Sequence, residues 1–211
     1  MSSYVHPVTR IAKRSTDLIT AIGGLIVLSP LLPLIALAIR LDSPGPILFR
    51  QLRIGESTPE FTHLFEMIKF RTMRIDAETV SGAVWATEQD PRVTRVGRFL
   101  RKSRLDELPQ LINVLRGEMS IIGPRPERPG IFQKLGRAIP YYEERVYGVR
   151  PGITGLAQVS QGYDRDIEDV RSKLLYDHAY AAALTQPLAW LTMDFQIVFR
   201  TITVMVLGRG Q

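Results

Sequence analysis

Two adjacent carboxylates, Asp106 and Glu107, lie within the most basic part of the sequence. An ionised carboxylate can attack phosphorus to give an acyl phosphate, and a neighbouring carboxylate can hold Mg²⁺, a cation that takes oxygen ligands. Arginines and a helix N-terminus nearby are expected to lower the pKa of Asp106, keep it ionised and gather phosphate oxygens beside it. The pair is therefore a candidate for metal-assisted phosphoryl transfer.

The same residues also suit a structural role at the start of a helix. Asp106 has the side chain of a good N-cap, Glu107 complements the helix dipole, and Pro109 is tolerated in a first turn. Spacing alone does not separate this role from the chemical one, so both stay open.

The surrounding stretch, residues 92–128, carries nine basic side chains against four acidic ones, in a chain whose net charge is +6. A spacing of three places Arg92, Arg95, Arg98 and Arg101 along one side of a predicted helix. Such a face is typically solvated or docked on anionic lipid. Nucleic acid is not an expected partner, because the sequence has no recognisable nucleic-acid-binding motif and an apolar segment precedes the basic stretch.

That apolar segment, residues 18–39, contains no charged side chain. A helix of this length would extend about 33 Å, enough to cross a bilayer core. Three interpretations compete: a signal peptide, a straight transmembrane helix, and a re-entrant hairpin that enters and leaves on the same side. A core helix of a soluble domain is seldom apolar on all sides for so long.

The hairpin is favoured by a break in the middle of the segment. Pro30 lacks an N–H and its ring clashes with the preceding turn, so a helix is expected to bend at Ser29-Pro30, where the Ser29 hydroxyl can satisfy a carbonyl. Basic residues flank both ends, which fits two cytoplasmic ends better than a crossing. These flanking residues are Lys13, Arg14, Arg40, Arg50 and Arg53.

Length and composition frame the domain that must position these features. The 211 residues are 45% apolar and 23% charged, as in one ordinary folded domain, and the absence of cysteine excludes disulfides and thiolate chemistry. A mean hydropathy of +0.02 excludes a polytopic membrane protein. Sequence patterns predict strands at 47–49 and 65–73, a surface loop at 76–89, helices at 94–103, 107–115 and 166–183, and an amphipathic interfacial helix at 188–207.

The expected fold is a single mixed α/β domain, dominated by helices (α+β). Residues 1–41 would form the re-entrant membrane hairpin, and residues 42–211 a catalytic domain on the cytoplasmic face that includes the C-terminal interfacial helix. Two loops, 123–126 and 150–152, are expected to be rigid, because proline fixes φ and keeps the preceding residue extended.

Short blocks along nearly the whole chain give it a family resemblance. It resembles the bacterial sugar transferase family, the monotopic phosphoglycosyl transferases that begin glycan assembly on polyprenol phosphate. The blocks are Lys13-Arg14 with Asp17, Ser29-Pro30, 69–73 (KFRTM), 94–101 (TRVGRFLR), 105–110 (LDELPQ), 113–120 (NVLRGEMS), 123–126 (GPRP) and 150–155 (RPGITG). Any one of them is weak, whereas their order and spacing together are specific.

The resemblance implies transfer of a sugar 1-phosphate from a UDP-sugar to polyprenol (undecaprenyl) phosphate, with release of UMP. It implies Asp106 as the nucleophile that forms a phosphosugar intermediate, Glu107 as its partner, and Mg²⁺ held by both. It further implies that Lys69, Arg71, Arg101 and Arg125 bind substrate.

The resemblance also implies a place in the cell. Ser29-Pro30 would be the breakpoint of a re-entrant helix at the cytoplasmic face of the bacterial inner membrane, and Lys13 and Arg14 would anchor that helix by reaching to the headgroups. The lipid bilayer is thus an expected partner, and a homodimer is a further possibility.

Departures from the family pattern lie in the C-terminal half, at Leu156, at 161–163 and at Ala179-Tyr180. They leave the identity of the sugar open. Asp177 is either an acid that supports the site or a solvated helix residue.

Two other functions also stay open: a non-catalytic membrane scaffold, and a glycosyl transferase that moves the sugar alone and releases UDP.

Overall fold

A computed structural model describes residues 5–75, 77, 90–162 and 166–206. It is a helix-rich α+β domain with two small sheets. The helices are α1 (Pro7–Leu28), α2 (Leu31–Asp42), α3 (Arg95–Lys102), α4 (Gln110–Arg116), α5 (Pro129–Ala138), α6 (Leu156–Ser160), α7 (Ile167–Ala183) and α8 (Pro187–Val206). The strands are β1 (Leu48–Ser57), β2 (Thr62–Phe70), β3 (Ser120–Ile122) and β4 (Gly152–Thr154), and short 3₁₀ turns occupy Leu105–Glu107 and Tyr142–Val146.

The predicted break at Ser29-Pro30 is confirmed. Helices α1 and α2 meet there at an angle of 66°, and the Ser29 hydroxyl donates to the carbonyl of Ile26 at 2.8 Å. Within the described residues, no helix taken singly has the length and apolar character needed to cross a bilayer, whereas α1 and α2 together do.

One face of α1 binds the rest of the domain through polar side chains. The four-residue spacing of Thr9, Lys13, Asp17 and Ala21 places them on this face. The buried carboxylate of Asp17 accepts from the Ser120 hydroxyl and from the Ile121 N–H, both at 2.9 Å. This face therefore orients α1 against β3.

The expectation that Lys13 and Arg14 reach to lipid headgroups is wrong. Lys13 Nζ lies 3.1 Å from Asp194 Oδ2 on α8. Arg14 donates to the carbonyls of Val114 and Leu115 at 2.6 and 3.0 Å, in the last turn of α4. Unsatisfied carbonyls at a helix C-terminus attract cations, which accounts for the position of Arg14. Both basic side chains therefore bind partners within the protein.

Strands β1 and β2 form an antiparallel hairpin that carries residues of the site. Strand β1 extends well beyond the predicted 47–49. The prediction was too short because Arg50 and Arg53 interrupt the apolar pattern, although both residues belong to the strand. The register pairs Phe49 with Lys69 and Arg53 with Phe65. Side chains alternate between the two faces of a strand, so Arg53 and Lys69 point to the same face of the hairpin.

The remaining elements hold the core and the second sheet. The core next to the hairpin packs Phe65 and Met67 against Val114, Met119 and Ala21. Strands β3 and β4 are parallel. The predicted loop 76–89 lies outside the described residues, apart from Ala77.

The C-terminal helices were predicted correctly at 166–183 and 188–207, within a few residues at each end. Asp194 of α8 points inward and accepts from Tyr180 Oη at 2.9 Å and from Trp190 Nε1 at 2.7 Å. The outer face of α8 exposes large apolar side chains, among them Leu188, Phe195, Phe199 and Ile202. Its position at a membrane interface stays a prediction.

Candidate active site

The carboxylate pair lies in a tight turn rather than in a helix. Arg104 adopts a left-handed conformation with φ 58°, and the 3₁₀ turn Leu105–Glu107 follows it. A left-handed non-glycine residue is strained, and such strain is common at functional sites. Helix α4 starts three residues later with Pro109 at its N-cap and no side-chain cap. The alternative role of Asp106 as a helix cap is therefore wrong.

Both carboxylates are buried, but the cations contact Glu107. Its Oε1 lies 2.9 Å from Lys69 Nζ, 3.4 Å from Arg125 Nη1 and 3.8 Å from Arg104 Nη1. Burial alone would raise the pKa of Glu107, but the charges of these three side chains outweigh burial and lower the pKa to about 2. Glu107 is thus a stable anion that holds the cations together.

Asp106 behaves in the opposite way, which corrects the expectation of a lowered pKa. Burial raises the pKa of Asp106, Lys69 opposes this shift, and the neighbouring charge of Glu107 adds to it. The physical reason is that none of the three ion pairs of the site goes to Asp106. When an environment separates the pKa values of two carboxyls, their roles differ, and Asp106 is the more basic of the two carboxylates.

Arg125 extends from a loop whose backbone is held at every residue. Four successive carbonyls accept hydrogen bonds here, while the rigidity of the loop stays a prediction. Gly152 N donates to Pro124 O at 2.9 Å, Arg145 Nη2 to Arg125 O at 3.2 Å, Arg53 Nη1 to Pro126 O at 2.9 Å and Ile54 N to Glu127 O at 2.9 Å. At Gly123 a Cβ would overlap the carbonyl of Arg150, so only glycine permits the two loops to approach so closely.

Arg101 approaches the pair from α3. Its Nε donates to the Thr72 hydroxyl at 2.9 Å, and its charge acts to lower the pKa of Asp106 against the effect of burial. Helix α3 sits close to Thr72 because Gly97 has no Cβ, which would overlap the Thr72 carbonyl. Arg92 precedes this helix and pairs with Asp90 instead of extending the row of arginines.

The structure does not bring Arg71 to the carboxylate pair. Its guanidinium donates to the Pro46 carbonyl at 2.5 Å and to the hydroxyl and carbonyl of Ser43 at 2.6 and 2.8 Å. These bonds hold the turn between α2 and β1. A substrate contact for Arg71 stays a prediction.

Two further arginines belong to the site, and the sequence did not single them out. Arg145 is buried and forms an ion pair with Asp177, with Nη2 2.7 Å from Oδ2. Asp177 is 2% exposed, so its interpretation as a solvated helix residue is wrong, and it supports the Arg125 loop through Arg145. Arg53 supports the same loop from β1. In the sequence, Arg53 stood out only as one of the basic residues that flank the apolar segment.

The donor set fits a magnesium ion that is shared with a substrate. Among the described residues, no group of three or more histidine, aspartate or glutamate side chains is arranged to hold a metal. Mg²⁺ is commonly bound by one or two carboxylates together with water and substrate phosphates. Asp106 and Glu107 supply two such carboxylates side by side, although Oε1 of Glu107 is already shared by three cations.

The site thus consists of two adjacent buried carboxylates surrounded by cations, on a helix-rich domain that also carries a bent apolar helix pair. This combination defines a class of site suited to phosphate chemistry. More specifically, the chain belongs to the bacterial sugar transferase family, whose model matches residues 8–208. The resemblance inferred from the motifs is thereby confirmed.

Three relatives illustrate the family. The chain is 42% identical over 204 residues to the UDP-N-acetylgalactosamine-undecaprenyl-phosphate N-acetylgalactosaminephosphotransferase of Aeromonas hydrophila, covering 97% of this chain and 46% of the relative. It is 38% identical over 209 residues to the exopolysaccharide production protein PSS of Rhizobium leguminosarum bv. phaseoli, covering 95% and 98%. It is 41% identical over 198 residues to the UDP-glucose:undecaprenyl-phosphate glucose-1-phosphate transferase of Escherichia coli K12, covering 92% and 40%. The chain thus spans less than half of two of these relatives and nearly all of the third.

Proposed function

We propose that the protein transfers a sugar 1-phosphate from a UDP-sugar to polyprenol (undecaprenyl) phosphate and releases UMP. The names of two relatives support these substrates. The observation that carries the proposal is the division of labour in the carboxylate pair. Glu107 gathers three cations around the site, while Asp106 stays outside those ion pairs and keeps the more basic carboxylate.

In the first step, a carboxylate oxygen of Asp106 attacks the β-phosphorus of the UDP-sugar. A P–O bond forms to Asp106, the bond to the bridging oxygen breaks, and UMP leaves with that electron pair. Lys69, Arg104 and Arg125 lie beside the pair and can stabilise the phosphoryl oxygens as charge moves onto the leaving group. The chain then carries the sugar phosphate on Asp106 as an acyl phosphate.

In the second step, an oxygen of polyprenol phosphate attacks the same phosphorus. The P–O bond to Asp106 breaks, the carboxylate is regenerated, and the product is a polyprenyl diphosphate sugar. No proton has to be gained or lost by the chain, because the nucleophile and the leaving group are both anions. The two substrates therefore use one set of phosphate-binding cations in turn.

Mg²⁺ is the expected cofactor, and Asp106 and Glu107 would hold it. When bound, the ion shields phosphate charge and thereby favours attack by an anion. The chain itself supplies the fixed position of both carboxylates, through the strained turn at Arg104, and the cations that offset their charge.

A polyprenol substrate requires the site to lie at a lipid surface, which the bent α1–α2 pair supports. Its exposed residues include Ile19, Ile26, Val27, Leu34 and Leu37, an apolar surface of the kind that marks membrane contact. We propose that the pair enters the cytoplasmic face of the bacterial inner membrane and returns to the same side. The chain has no cysteine, so Val8→Cys and Pro44→Cys provide single labels at exposed positions on either side of the hairpin.

Both labels should react with an impermeant thiol reagent only from the cytoplasmic side of oriented vesicles. Labelling from opposite sides would show that the segment spans the membrane.

The nucleophile is tested with Asp106→Asn and a radiolabelled UDP-sugar. Sugar transfer, and label retained on denatured protein, should both disappear. Asp166→Asn is the matched control, because Asp166 is an exposed helix cap and asparagine caps equally well. Turnover by Asp106→Asn at the wild-type rate would refute the assignment.

The released nucleotide separates the proposal from its alternatives. UMP is expected, with release that depends on Mg²⁺ and stops on chelation. Release of UDP would identify a glycosyl transferase, and no release from any UDP-sugar would favour a scaffold.

A further inference from the structure

Arg53 occupies an unusual position beside the site. It lies in β1 on the face that also carries Lys69, and its Nη1 donates to the carbonyl of Pro126, next to Arg125. Its Nη2 donates to Gln51 Oε1 at 2.6 Å. Both acceptors are neutral, and the Nε–H is enclosed without a hydrogen-bond partner.

The surroundings of Arg53 disfavour its charged form. Burial, and then the charge of Arg125, lower the pKa of Arg53 to about 10, and Glu127 and Glu107 only partly oppose them. The other arginine that holds this loop, Arg145, has the carboxylate of Asp177 against its guanidinium. Arg53 is half-buried and its Nε is enclosed, and a cation withdrawn from water in this way is normally paired. Among the described residues no carboxylate forms an ion pair with Arg53, which calls for an explanation.

An anionic ligand provides that explanation. Two guanidinium groups close together repel each other in the free protein, and this repulsion is relieved when an anion binds between them. Guanidinium groups are especially suited to phosphate, because their planar N–H groups match its oxygens. Arg53 donates to the carbonyl of the residue that follows Arg125. Each of its two terminal nitrogens uses one N–H in the bonds described above, which leaves a second N–H on each for such a ligand.

We propose that Arg53 is a phosphate-binding residue, which acts with Arg125 on a phosphate group of the reacting substrates. This inference rests on the proposed function and deepens it. The phosphate belongs either to the diphosphate of the sugar nucleotide or to the polyprenol phosphate, and the two arms of the experiment distinguish these sources.

The nucleotide arm measures UDP binding by titration calorimetry with the full chain in nanodiscs. Arg53→Gln should raise the Kd for UDP about 10- to 100-fold, the effect of losing a hydrogen bond to a charged group, while Arg53→Lys, which keeps the charge, should recover part of the affinity. The matched control is Arg50→Gln, because Arg50 lies on the same strand but pairs with Glu66 and is exposed. The control should bind UDP as the wild type does.

The lipid arm measures the KM for undecaprenyl phosphate in the complete reaction. A rise confined to this KM assigns Arg53 to the lipid phosphate, and a rise in the Kd for UDP assigns it to the nucleotide. If Arg53→Gln changes neither constant, the proposal is overturned.

A role limited to positioning Arg125 is separated by a double-mutant cycle. If Arg53 contacts phosphate itself, Arg53→Gln should still weaken phosphate binding in an Arg125→Gln background. If it acts only by holding the loop, it should have no further effect there, and the proposal fails. Wild-type protein that neither binds UDP nor releases UMP would instead overturn the proposed function, which is a distinguishable result.

Discussion

Charge is arranged differently in two neighbouring buried clusters of this protein. Behind the Arg125 loop, one cation meets one anion: Arg145 and Asp177 lie 2.7 Å apart and are both nearly inaccessible to solvent. In the carboxylate site, three cations, Lys69, Arg104 and Arg125, contact the one carboxylate of Glu107. The first cluster pairs one cation with one anion, whereas in the second three cations share one carboxylate.

The two clusters show how a charged side chain that supports the fold differs from one that binds a substrate. A buried pair with balanced charge fixes geometry, because either partner left alone would be unstable. An excess of cations is unfavourable in the free protein and becomes favourable when phosphate arrives. Mutations should therefore separate the clusters, with loss of stability in the first and loss of activity in the second.

The largest effect on stability is expected at the balanced pair. Asp177→Asn leaves Arg145 buried without its carboxylate, which should lower the free energy of unfolding by roughly 3–5 kcal/mol. Thermal unfolding of the protein in detergent measures the change. The double variant Arg145→Met with Asp177→Leu should recover much of the lost stability, because it removes both charges. A double variant less stable than Asp177→Asn would show that the pair is not the source of the effect.

An intermediate effect is expected where α1 meets α8. Lys13→Met removes the cation from Asp194, but that carboxylate keeps its bonds from Tyr180 and Trp190. The free energy of unfolding should fall by about 1–3 kcal/mol, because a charged group loses one hydrogen bond. The same thermal measurement applies, with Arg10→Met as the control, since Arg10 is exposed on the same helix. If Lys13→Met lowered the free energy of unfolding as much as Asp177→Asn does, the remaining bonds to Asp194 would not compensate for the lost cation, and this prediction would be wrong.

The sequence predicted the features that depend on local chemistry. A proline in the middle of a long apolar segment interrupts the helix, and the break at Pro30 was confirmed. The spacing of apolar residues after 166 is typical of long helices, and these were confirmed as well. The direction of the pKa shift of Asp106 was predicted wrongly, because it depends on burial and on which carboxylate the cations contact in three dimensions. Lys13 and Arg14 were misplaced for a similar reason. Their partners are 181 and about 100 residues away along the chain, and no local pattern marks them.

The roles of Arg53 and Arg145 could not be predicted from the sequence, where Arg53 is only one of several basic residues after the apolar segment and Arg145 belongs to no recognisable motif. Arg145 meets Asp177 across 32 residues, and Arg53 meets the 123–126 loop across 73. Only the folded chain shows that both hold the same loop, and that only one of them is paired with a carboxylate.

The smallest effect on stability, together with a large loss of activity, is expected for Arg125→Gln. The Arg125 side chain is 43% exposed and its ion pair with Glu107 is 3.4 Å long, so its removal should change the free energy of unfolding by only about 0.2–1 kcal/mol. The rate of UMP release at low UDP-sugar should nevertheless fall about 100-fold or more, because a cation that stabilises phosphoryl oxygens is lost. The opposite result, a loss of stability like that of Asp177→Asn with normal UMP release, would contradict the prediction. Arg125 would then stabilise the fold as Arg145 does and would not bind phosphate.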